Sequence, residues 1–226
     1  RYPENLFQVQ AAQFAIYHVP EPTVFYGNQD ARQVAADPTR SSEFGTAVMR
    51  PYYLLLRLPG ETDEGFVLVV PFTPQGRQNL VSWMVARSDP GADYGEIVAY
   101  QFPSGQNVDG PEQVFARINQ DPRFSSERTL LGQGGSQVEF GDFLVIPVGN
   151  ALLYVQPVYV SSAANAIPEL KRVLVVNGGE IGIGTTLQAA LDETLGGQVV
   201  PPTGGGGGGG GGGTGGGTTD ERVRAL

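Results

Sequence analysis

The sequence predicts an α+β fold with a largely antiparallel sheet of about eight strands and short peripheral helices. Apolar runs rich in β-branched residues recur along the chain and are joined mostly by short turns containing Gly and Asn, which is typical of β-hairpins. Short segments with helical periodicity are interspersed among these runs. This order favours an antiparallel arrangement over a doubly wound parallel sheet, in which strands and helices alternate.

The first predicted element is a helix. Phe7, Ala11, Phe14 and His18 recur at helical spacing in ENLFQVQAAQFAIYHV, and Pro3 stands in a plausible first-turn position. We therefore expect one apolar stripe of this helix to face the core.

The eight predicted strands are bounded by turn residues. The first two form a hairpin around an acidic, Gly-containing loop, and Gly149-Asn150 predicts a two-residue turn between two later strands. The predicted strands lie near residues 52–58, 66–72, 96–102, 136–140, 143–148, 151–160, 171–176 and 180–184.

The most apolar stretch, GDFLVIPVGNALLYVQPVYV at residues 141–160, contains the hairpin at Gly149-Asn150. Both arms are apolar at nearly every position, which is typical of strands covered on both faces. We expect Ile146, Leu153 and Val155 to be almost fully buried. If they instead line one exposed apolar surface, that surface would be a docking face.

Four short helices are predicted between or after the strands. One follows Thr73-Pro74 and carries Leu80, Val81, Trp83 and Met84. Two more follow Gly110-Pro111 and are separated at Asp121-Pro122. The last begins at Thr185 or Thr186, where Thr185 and Gln188 have capping-box spacing, and ends at Gly196-Gly197.

Composition divides the chain into three parts. Residues 1–195 have the make-up of a globular domain, residues 196–219 are a Gly/Thr/Pro-rich segment expected to be a flexible linker, and residues 220–226 are expected to begin a C-terminal tail. The chain opens at Arg1 without a leader-like segment, so we expect it to be a piece of something longer.

Charge and residue usage exclude several classes of function. The net charge is −9 and the 14 basic residues are scattered, so a binder of nucleic acid or of an anionic membrane is not expected. The absence of cysteine excludes disulfides, thiolate catalysis and Cys-ligated metal sites. No window holds 18 unbroken apolar residues, so this fragment is not expected to span a membrane itself.

Seven ordered blocks carry a resemblance to a known family. They are RYPENLFQVQAAQFAIYHV, PYYLLLRLPGE, FVLVVPFTPQGRQNLVSWMVARSD, YGEIVAYQFP, ARINQDP, FLVIPVGNALLYVQPVYV and PELKRVLVV. In this order they resemble the C-terminal part of the bacterial multi-pass membrane proteins of uncharacterised protein family 0182, and the likeness covers nearly all of residues 1–195.

The resemblance implies a location and no chemistry. It implies several N-terminal transmembrane helices that this chain lacks, then a large region outside the cytoplasm, then a Pro/Gly-rich linker and a helical tail. The parent protein is therefore expected in the cell membrane with this domain extracytoplasmic. The expected partners are the protein's own N-terminal transmembrane region or an envelope protein.

Few individual residues have the chemistry of a catalytic or metal site. His18, the single histidine, is interpreted as a hydrogen-bonded core residue rather than a catalytic base. A Ser-His-Asp triad would have to use His18, and the sequence around it contains no recognisable triad motif. Glu61, Asp63 and Glu64 in GETDEGF could ligate a hard cation, but a solvated loop tip is the simpler interpretation.

Three further features are compatible with a binding or catalytic site but do not require one. NGGEIGIGTTL precedes a helix and could dock an anion, although tight-turn geometry also accounts for its glycines. Trp83 is interpreted as a core anchor rather than a sugar platform. Two carboxylates at glycosidase spacing are possible among 23 acidic residues, because a sequence does not show their separation.

The sequence thus assigns no catalytic, cofactor-binding or metal-binding residue, and no cofactor. The favoured hypothesis is a non-enzymatic extracytoplasmic domain that packs on its own membrane part or on a partner. The alternatives are a hydrolase of cell-envelope polymers that uses two carboxylates, and a binder of small ligands. A deep cleft with two facing carboxylates would favour the enzyme, and an exposed apolar patch would favour the partner.

Overall fold

The computed structural model describes residues 1–17, 31–42, 45–103, 106–149, 151–162, 165–196 and 222–224. Within these ranges the fold is α+β and its sheets are antiparallel, as the sequence predicts. His18 and residues 197–221 of the expected linker and tail lie outside the described residues.

Four helices are described. The first is apolar on its inner face, and each of the two middle helices has proline at its first position. They are α1 (Glu4–Tyr17), α2 (Pro111–Gln120), α3 (Pro122–Leu131) and α4 (Leu187–Thr194).

Twelve strands are described between residues 32 and 184. They are β1 (Arg32–Val34), β2 (Ala36–Ser42), β3 (Gly45–Val48), β4 (Tyr52–Arg57), β5 (Glu64–Pro74), β6 (Ser82–Arg87), β7 (Ile97–Gln101), β8 (Ser136–Phe140), β9 (Leu144–Val148), β10 (Ala151–Ser162), β11 (Asn165–Asn177) and β12 (Glu180–Gly184). A short strand, β13 (Arg222–Arg224), pairs with β7.

The strands form two large sheets and one small one. The first sheet has the order β1-β5-β6-β7-β13, with β4 also paired to β5. The second has the order β12-β11-β10-β8, with β9 also paired to β10. Strands β2 and β3 form a separate two-stranded sheet.

The helices cover particular sheet faces. α1 packs Phe7, Ala11 and Phe14 on one face of the first sheet, where the rings of Phe14 and Phe72 lie 5.2 Å apart. α2 and α3 pack on one face of the second sheet through a core that includes Ile118. α4 covers part of the opposite face of that sheet. None of the helices in the described ranges is long and apolar enough to cross a membrane.

The predicted helix after Thr73-Pro74 is wrong. Trp83 and Met84 lie on β6, which pairs with β5 on one side and with β7 on the other. Ser82 to Ala86 are all buried, with Trp83 and Met84 in different clusters on opposite faces of the sheet. A short apolar run buried on both faces carries no periodicity that separates strand from helix.

The predicted number of about eight strands is also wrong. All eight predicted strands are present, and β1, β2, β3 and β6 are additional. The first three lie between residues 32 and 48, where the sequence is polar and contains Asp37-Pro38. Strand pairing by such a segment depends on its neighbours, because it has no apolar alternation of its own.

The last helix begins where one of the two predicted caps placed it. The hydroxyl of Thr186 accepts a hydrogen bond of 3.2 Å from the amide of Ala189, so Thr186 is the N-cap. The capping box predicted from Thr185 and Gln188 is not formed, because the N-cap lies one residue later; the Gln188 amide donates to Asp192.

Candidate functional site

An open pocket of about 570 Å³ lies where the two large sheets meet. One wall comes from the first sheet, with Trp83 of β6 and Tyr100 of β7. The opposite wall comes from the second sheet, with Leu152 and Tyr154 of β10. A volume of this size is within the range of pockets that hold small ligands.

Two hairpin turns of the second sheet form part of the rim. Leu153 on β10 pairs with Ile146 on β9 and with Asn177 on β11, so the β9–β10 and β11–β12 turns lie at the same end of the sheet. Gly149 and Gly178 begin these turns with φ of 57°, a left-handed conformation that favours glycine. The strand order therefore brings two turns, distant in sequence, to one pocket.

An ion pair holds one edge of the pocket. The guanidinium of Arg117 on α2 binds the carboxylate of Asp109 and also donates a hydrogen bond of 2.6 Å to the carbonyl oxygen of Gly178. The hydroxyl of Tyr154 donates to the backbone carbonyl of Asp109. Burial of the Tyr154 phenol raises its pKa, the Asp109 charge raises it further, and Arg117 opposes the shift.

Four side-chain amides face this pocket without an internal partner. Gln101, Gln106, Asn107 and Asn177 line it, and none of these side chains forms a hydrogen bond to the described residues. Each amide offers two N–H donors and a carbonyl acceptor. The rim can therefore exchange hydrogen bonds with a neutral polar ligand.

The aromatic part of the pocket also belongs to the core. The rings of Trp83 and Tyr100 stack at 4.5 Å with an angle of 17° between their planes. Each residue is 6% exposed and packs with Val67, Val69 and Val85. The interpretation of Trp83 as a core anchor is thus compatible with the structure, although its exposed edge lies in the pocket.

One carboxylate in the acidic loop of the first hairpin, that of Glu61, has a structural role. Glu61 forms an ion pair with Arg87, which also pairs with Glu96. These two carboxylates raise the pKa of Arg87. Asp63 and Glu64 are exposed. Among the described residues there is no group of three or more acidic, His or Cys side chains arranged to hold a metal ion.

The glycines of NGGEIGIGTTL have two different structural roles, one in a turn and one in close packing against a helix. Gly178 forms the β11–β12 turn, in line with tight-turn geometry. Gly182 and Gly184 lie on β12 directly beneath α4, where an added Cβ would meet atoms of Ala190 at 2.1 Å and 2.4 Å. Close approach of a helix thus explains these two glycines, which the sequence interpretation attributed to turns.

The expectation that Ile146, Leu153 and Val155 are all almost fully buried is wrong for two of them. Val155 is 8% exposed, whereas Ile146 and Leu153 are only half-buried. All three lie on the face of the second sheet that carries α4. That helix packs over Val173 and Val175 and leaves the β9 side partly uncovered.

The outer face of α1 is an apolar stripe, defined here by Leu6, Val9 and Ile16. These side chains are 47%, 56% and 55% exposed, and they recur at spacings of three and seven residues on the side opposite the core. Glu4 is the sole charged residue between positions 4 and 17. The inner face of this helix is therefore apolar, and the outer face carries an apolar stripe among uncharged polar residues.

Comparison with known proteins decides the family. The family model of Uncharacterised protein family (UPF0182) matches residues 1–131. The chain belongs to this family. UPF0182 proteins of Pelobacter propionicus and Geobacter sulfurreducens are each 45% identical to it over 201 and 202 residues, or 89% of the chain. A UPF0182 protein of Trichodesmium erythraeum is 41% identical over 88% of the chain.

The matched region is a small part of these relatives. The chain covers 22% of the Pelobacter and Geobacter proteins and 21% of the Trichodesmium protein. No solved structure matches the chain. The family name carries no activity, so the chemistry of the pocket has to be argued from its own residues.

Sequence reasoning singled out few of the residues that form the pocket. Among the residues that line the pocket, Trp83 is the one that the sequence suggests as a possible site residue. The sequence gives no signal for Asn107, Asp109 or Tyr154. It identified both hairpin turns correctly. That the turns meet at one end of the sheet follows from the pairing of β10 with β9 and with β11, which the sequence does not show.

Proposed function

We propose that this chain forms a non-enzymatic extracytoplasmic domain of a larger membrane protein and packs on that protein's own membrane part. The outer face of α1, defined by Leu6, Val9 and Ile16, carries the proposal. A helix side that combines several large apolar side chains with almost no charge is normally covered by another surface. In α1 one side is covered by the first sheet and the other is exposed.

The composition of the outer face supports an apolar occupant. The other exposed positions of α1 hold Ala12, the uncharged Asn5, Gln8 and Gln13, and Glu4 in the first turn, so this side carries one charge where a solvated helix normally carries several. The relatives are four to five times longer than the matched region, since it covers 21–22% of them. They therefore contain ample further chain to cover the stripe.

The chemistry of the pocket supports a role without catalysis. A two-carboxylate hydrolase needs a second carboxylate roughly 5 to 10 Å from the first. Asp109 is the one acidic residue among the lining residues of the described pocket, and Arg117 already binds it. The resemblance to the C-terminal part of multi-pass membrane proteins supports the proposed location.

Single cysteines in the full-length protein test both halves of the proposal. The chain contains no cysteine, so a substituted one is labelled selectively once any cysteine elsewhere in the protein is replaced. Thr62→Cys at the exposed hairpin loop reports location, and Val9→Cys and Ile16→Cys report docking. Leu130→Cys is the matched control, because Leu130 is an apolar helical residue that is 65% exposed and distant in sequence from α1.

Intact cells are treated with a membrane-impermeant maleimide, and labelling after denaturation gives the total. We expect Thr62→Cys and Leu130→Cys to be labelled and the two α1 cysteines to be protected. Labelling of Thr62→Cys only after lysis would refute the extracytoplasmic location. Labelling of Val9→Cys and Ile16→Cys at the control level would refute the docking. Protection that disappears after separation from a co-purifying protein would identify a partner instead.

A further inference from the structure

We propose that the pocket between the two large sheets binds a neutral saccharide. The pocket combines aromatic rings, side-chain amides that form no hydrogen bond to the described residues, and an internally neutralised ion pair around about 570 Å³. This proposal goes beyond the docking function, which uses a different surface, and the two can fail independently.

The hydrogen-bonding groups of the pocket match hydroxyl groups. Gln101, Gln106, Asn107 and Asn177 each carry donors and an acceptor and have no side-chain hydrogen bond to the described residues. A sugar hydroxyl is likewise both donor and acceptor. The four amides can therefore donate hydrogen bonds to several hydroxyl groups or accept hydrogen bonds from them. An entirely apolar ligand would leave these amides without partners as it displaced their water, which is unfavourable.

The charge of the pocket favours an uncharged ligand. The carboxylate of Asp109 is bound by Arg117, whose second N–H group is bound to the carbonyl of Gly178. The two charges thus neutralise each other, and this ion pair presents no net charge that would favour a charged ligand. The Asp109 carboxylate still has lone pairs that can accept hydrogen bonds from hydroxyl groups.

The aromatic wall supplies a narrow apolar surface for the C–H groups of a sugar ring, since Trp83 and Tyr100 are each 6% exposed and only their edges reach the pocket. Trp83 and Tyr100 are fixed by stacking on each other and by the valines around them, so they lose little freedom when a ligand binds. Phe102 and Leu152 extend this surface along the pocket. A sugar ring has an apolar face of C–H groups and polar hydroxyl groups around its edge, and the pocket presents both kinds of surface.

A saccharide fits the pocket better than an extended peptide does. Peptides commonly bind by adding a strand to an open sheet edge. The edge of β7 beside the pocket pairs with β13, and on β9 the N–H and C=O groups of Val145 bind the hydroxyl of Tyr52. The pocket is lined by side chains and turns, which suit a ligand that carries its own hydroxyl groups.

The experiment uses the 226-residue chain with maltotetraose and N-acetylchitotetraose as neutral probes and tetraglycine as a peptide probe. Calorimetry measures binding. Fluorescence locates it, because Trp83 is the single tryptophan of the chain and lies in the pocket. We expect at least one saccharide to bind with a saturable change in Trp83 emission.

Asn107→Ala is the diagnostic variant, since Asn107 is exposed and its side chain can be removed without disturbing the core. Loss of one hydrogen bond should weaken saccharide binding about three- to tenfold. Gln133→Ala is the matched control, because Gln133 is exposed and does not line the pocket, and it should bind like the wild type.

Three results would overturn the proposal. Calorimetry could detect no binding of either saccharide, or Asn107→Ala could bind as the unchanged protein does. Alternatively, tetraglycine could bind as well as the saccharides or better, which would make the pocket a peptide site. Protection of the α1 cysteines in the labelling experiment is unaffected by any of these results, so the two proposals are tested separately.

Discussion

The hydroxyl of Tyr52 on β4 donates a hydrogen bond of 2.7 Å to the carbonyl oxygen of Val145 on β9 and accepts one of 3.1 Å from the N–H of the same residue. A single side chain of the first sheet thereby satisfies both backbone groups of a residue at the edge of the second sheet. This contact joins the two sheets that form the walls of the pocket.

Tyr52→Phe should destabilise the fold. The substitution keeps the ring and leaves the N–H and C=O groups of Val145 without their partner, which should cost about 1 to 3 kcal/mol of the free energy of unfolding. Denaturant unfolding measures the loss. Tyr159→Phe is the control, because the Tyr159 hydroxyl makes no hydrogen bond to the described residues. Equal stability of the two variants would show that the contact does not hold the sheets together.

Stability should decrease at high pH. Burial raises the pKa of Tyr52 and of Tyr154 above the ordinary value of 10.0. The hydrogen bond to Val145 lowers the pKa of Tyr52, and the Arg117 charge lowers that of Tyr154, but both effects are smaller than that of burial. Above about pH 10 the unfolded chain therefore loses protons that the folded chain keeps. The contribution of these phenols is full below that pH and decreases as the pH rises, by up to about 2.7 kcal/mol per pH unit for two groups.

Unfolding in denaturant between about pH 8 and pH 11 measures this slope. A protein with both Tyr52→Phe and Tyr154→Phe should be less stable at neutral pH and lose less stability on the alkaline side. An unchanged alkaline slope in the double variant would assign the effect to other groups.

Two leucines on opposite faces of the second sheet should differ in their contribution to the free energy of unfolding. Leu174 is 0% exposed in the core beneath α2 and α3, so Leu174→Ala should cost about 2 to 5 kcal/mol. Leu153 is half-buried on the other face, and Leu153→Ala should cost about 1 kcal/mol. Unfolding midpoints of the two variants make the comparison. A loss for Leu153→Ala as large as that for Leu174→Ala would mean that the β9 side of this face is covered.

Segments with strong local signals could be predicted from the sequence. The sequence predicts the break between α2 and α3 at Asp121-Pro122, where Asp121 accepts hydrogen bonds from the amides of Arg123 and Phe124 and caps α3. Two residues, Gly149 and Asn150, predict the hairpin turn that begins at Gly149. In each case the side chain or backbone that determines the structure lies within three residues of the boundary.

Segments whose structure depends on distant neighbours could not be predicted. β6 is a strand because Met84 pairs with Val70 and with Ala99 on its two sides. The half-burial of Leu153 follows from how far α4 extends across the sheet. The pocket depends on the meeting of Trp83 with the β9–β10 turn, which are more than sixty residues apart in sequence. Its four side-chain amides give no periodic signal in the sequence.

Gly182→Ala tests the close contact of α4 with β12. An added Cβ at this position would lie 2.1 Å from the carbonyl oxygen of Ala190 and 2.2 Å from the hydroxyl of Thr194. The carbonyl is helix backbone and cannot rotate away, so α4 has to move. We expect a loss of about 1 to 3 kcal/mol, which is typical of overpacking.

Gly179→Ala is the control for this substitution, since a Cβ there meets no atom within 4 Å and the residue lies in the adjoining turn. It should leave stability within about 0.5 kcal/mol of the unchanged chain, as exposed substitutions usually do. Denaturant unfolding of both variants gives the difference. Because α4 covers Val173 and Val175, its displacement by Gly182→Ala should also expose apolar surface, measurable as increased binding of a hydrophobic dye. If the two variants are equally stable and bind the dye equally, α4 does not pack on β12 at the distance described.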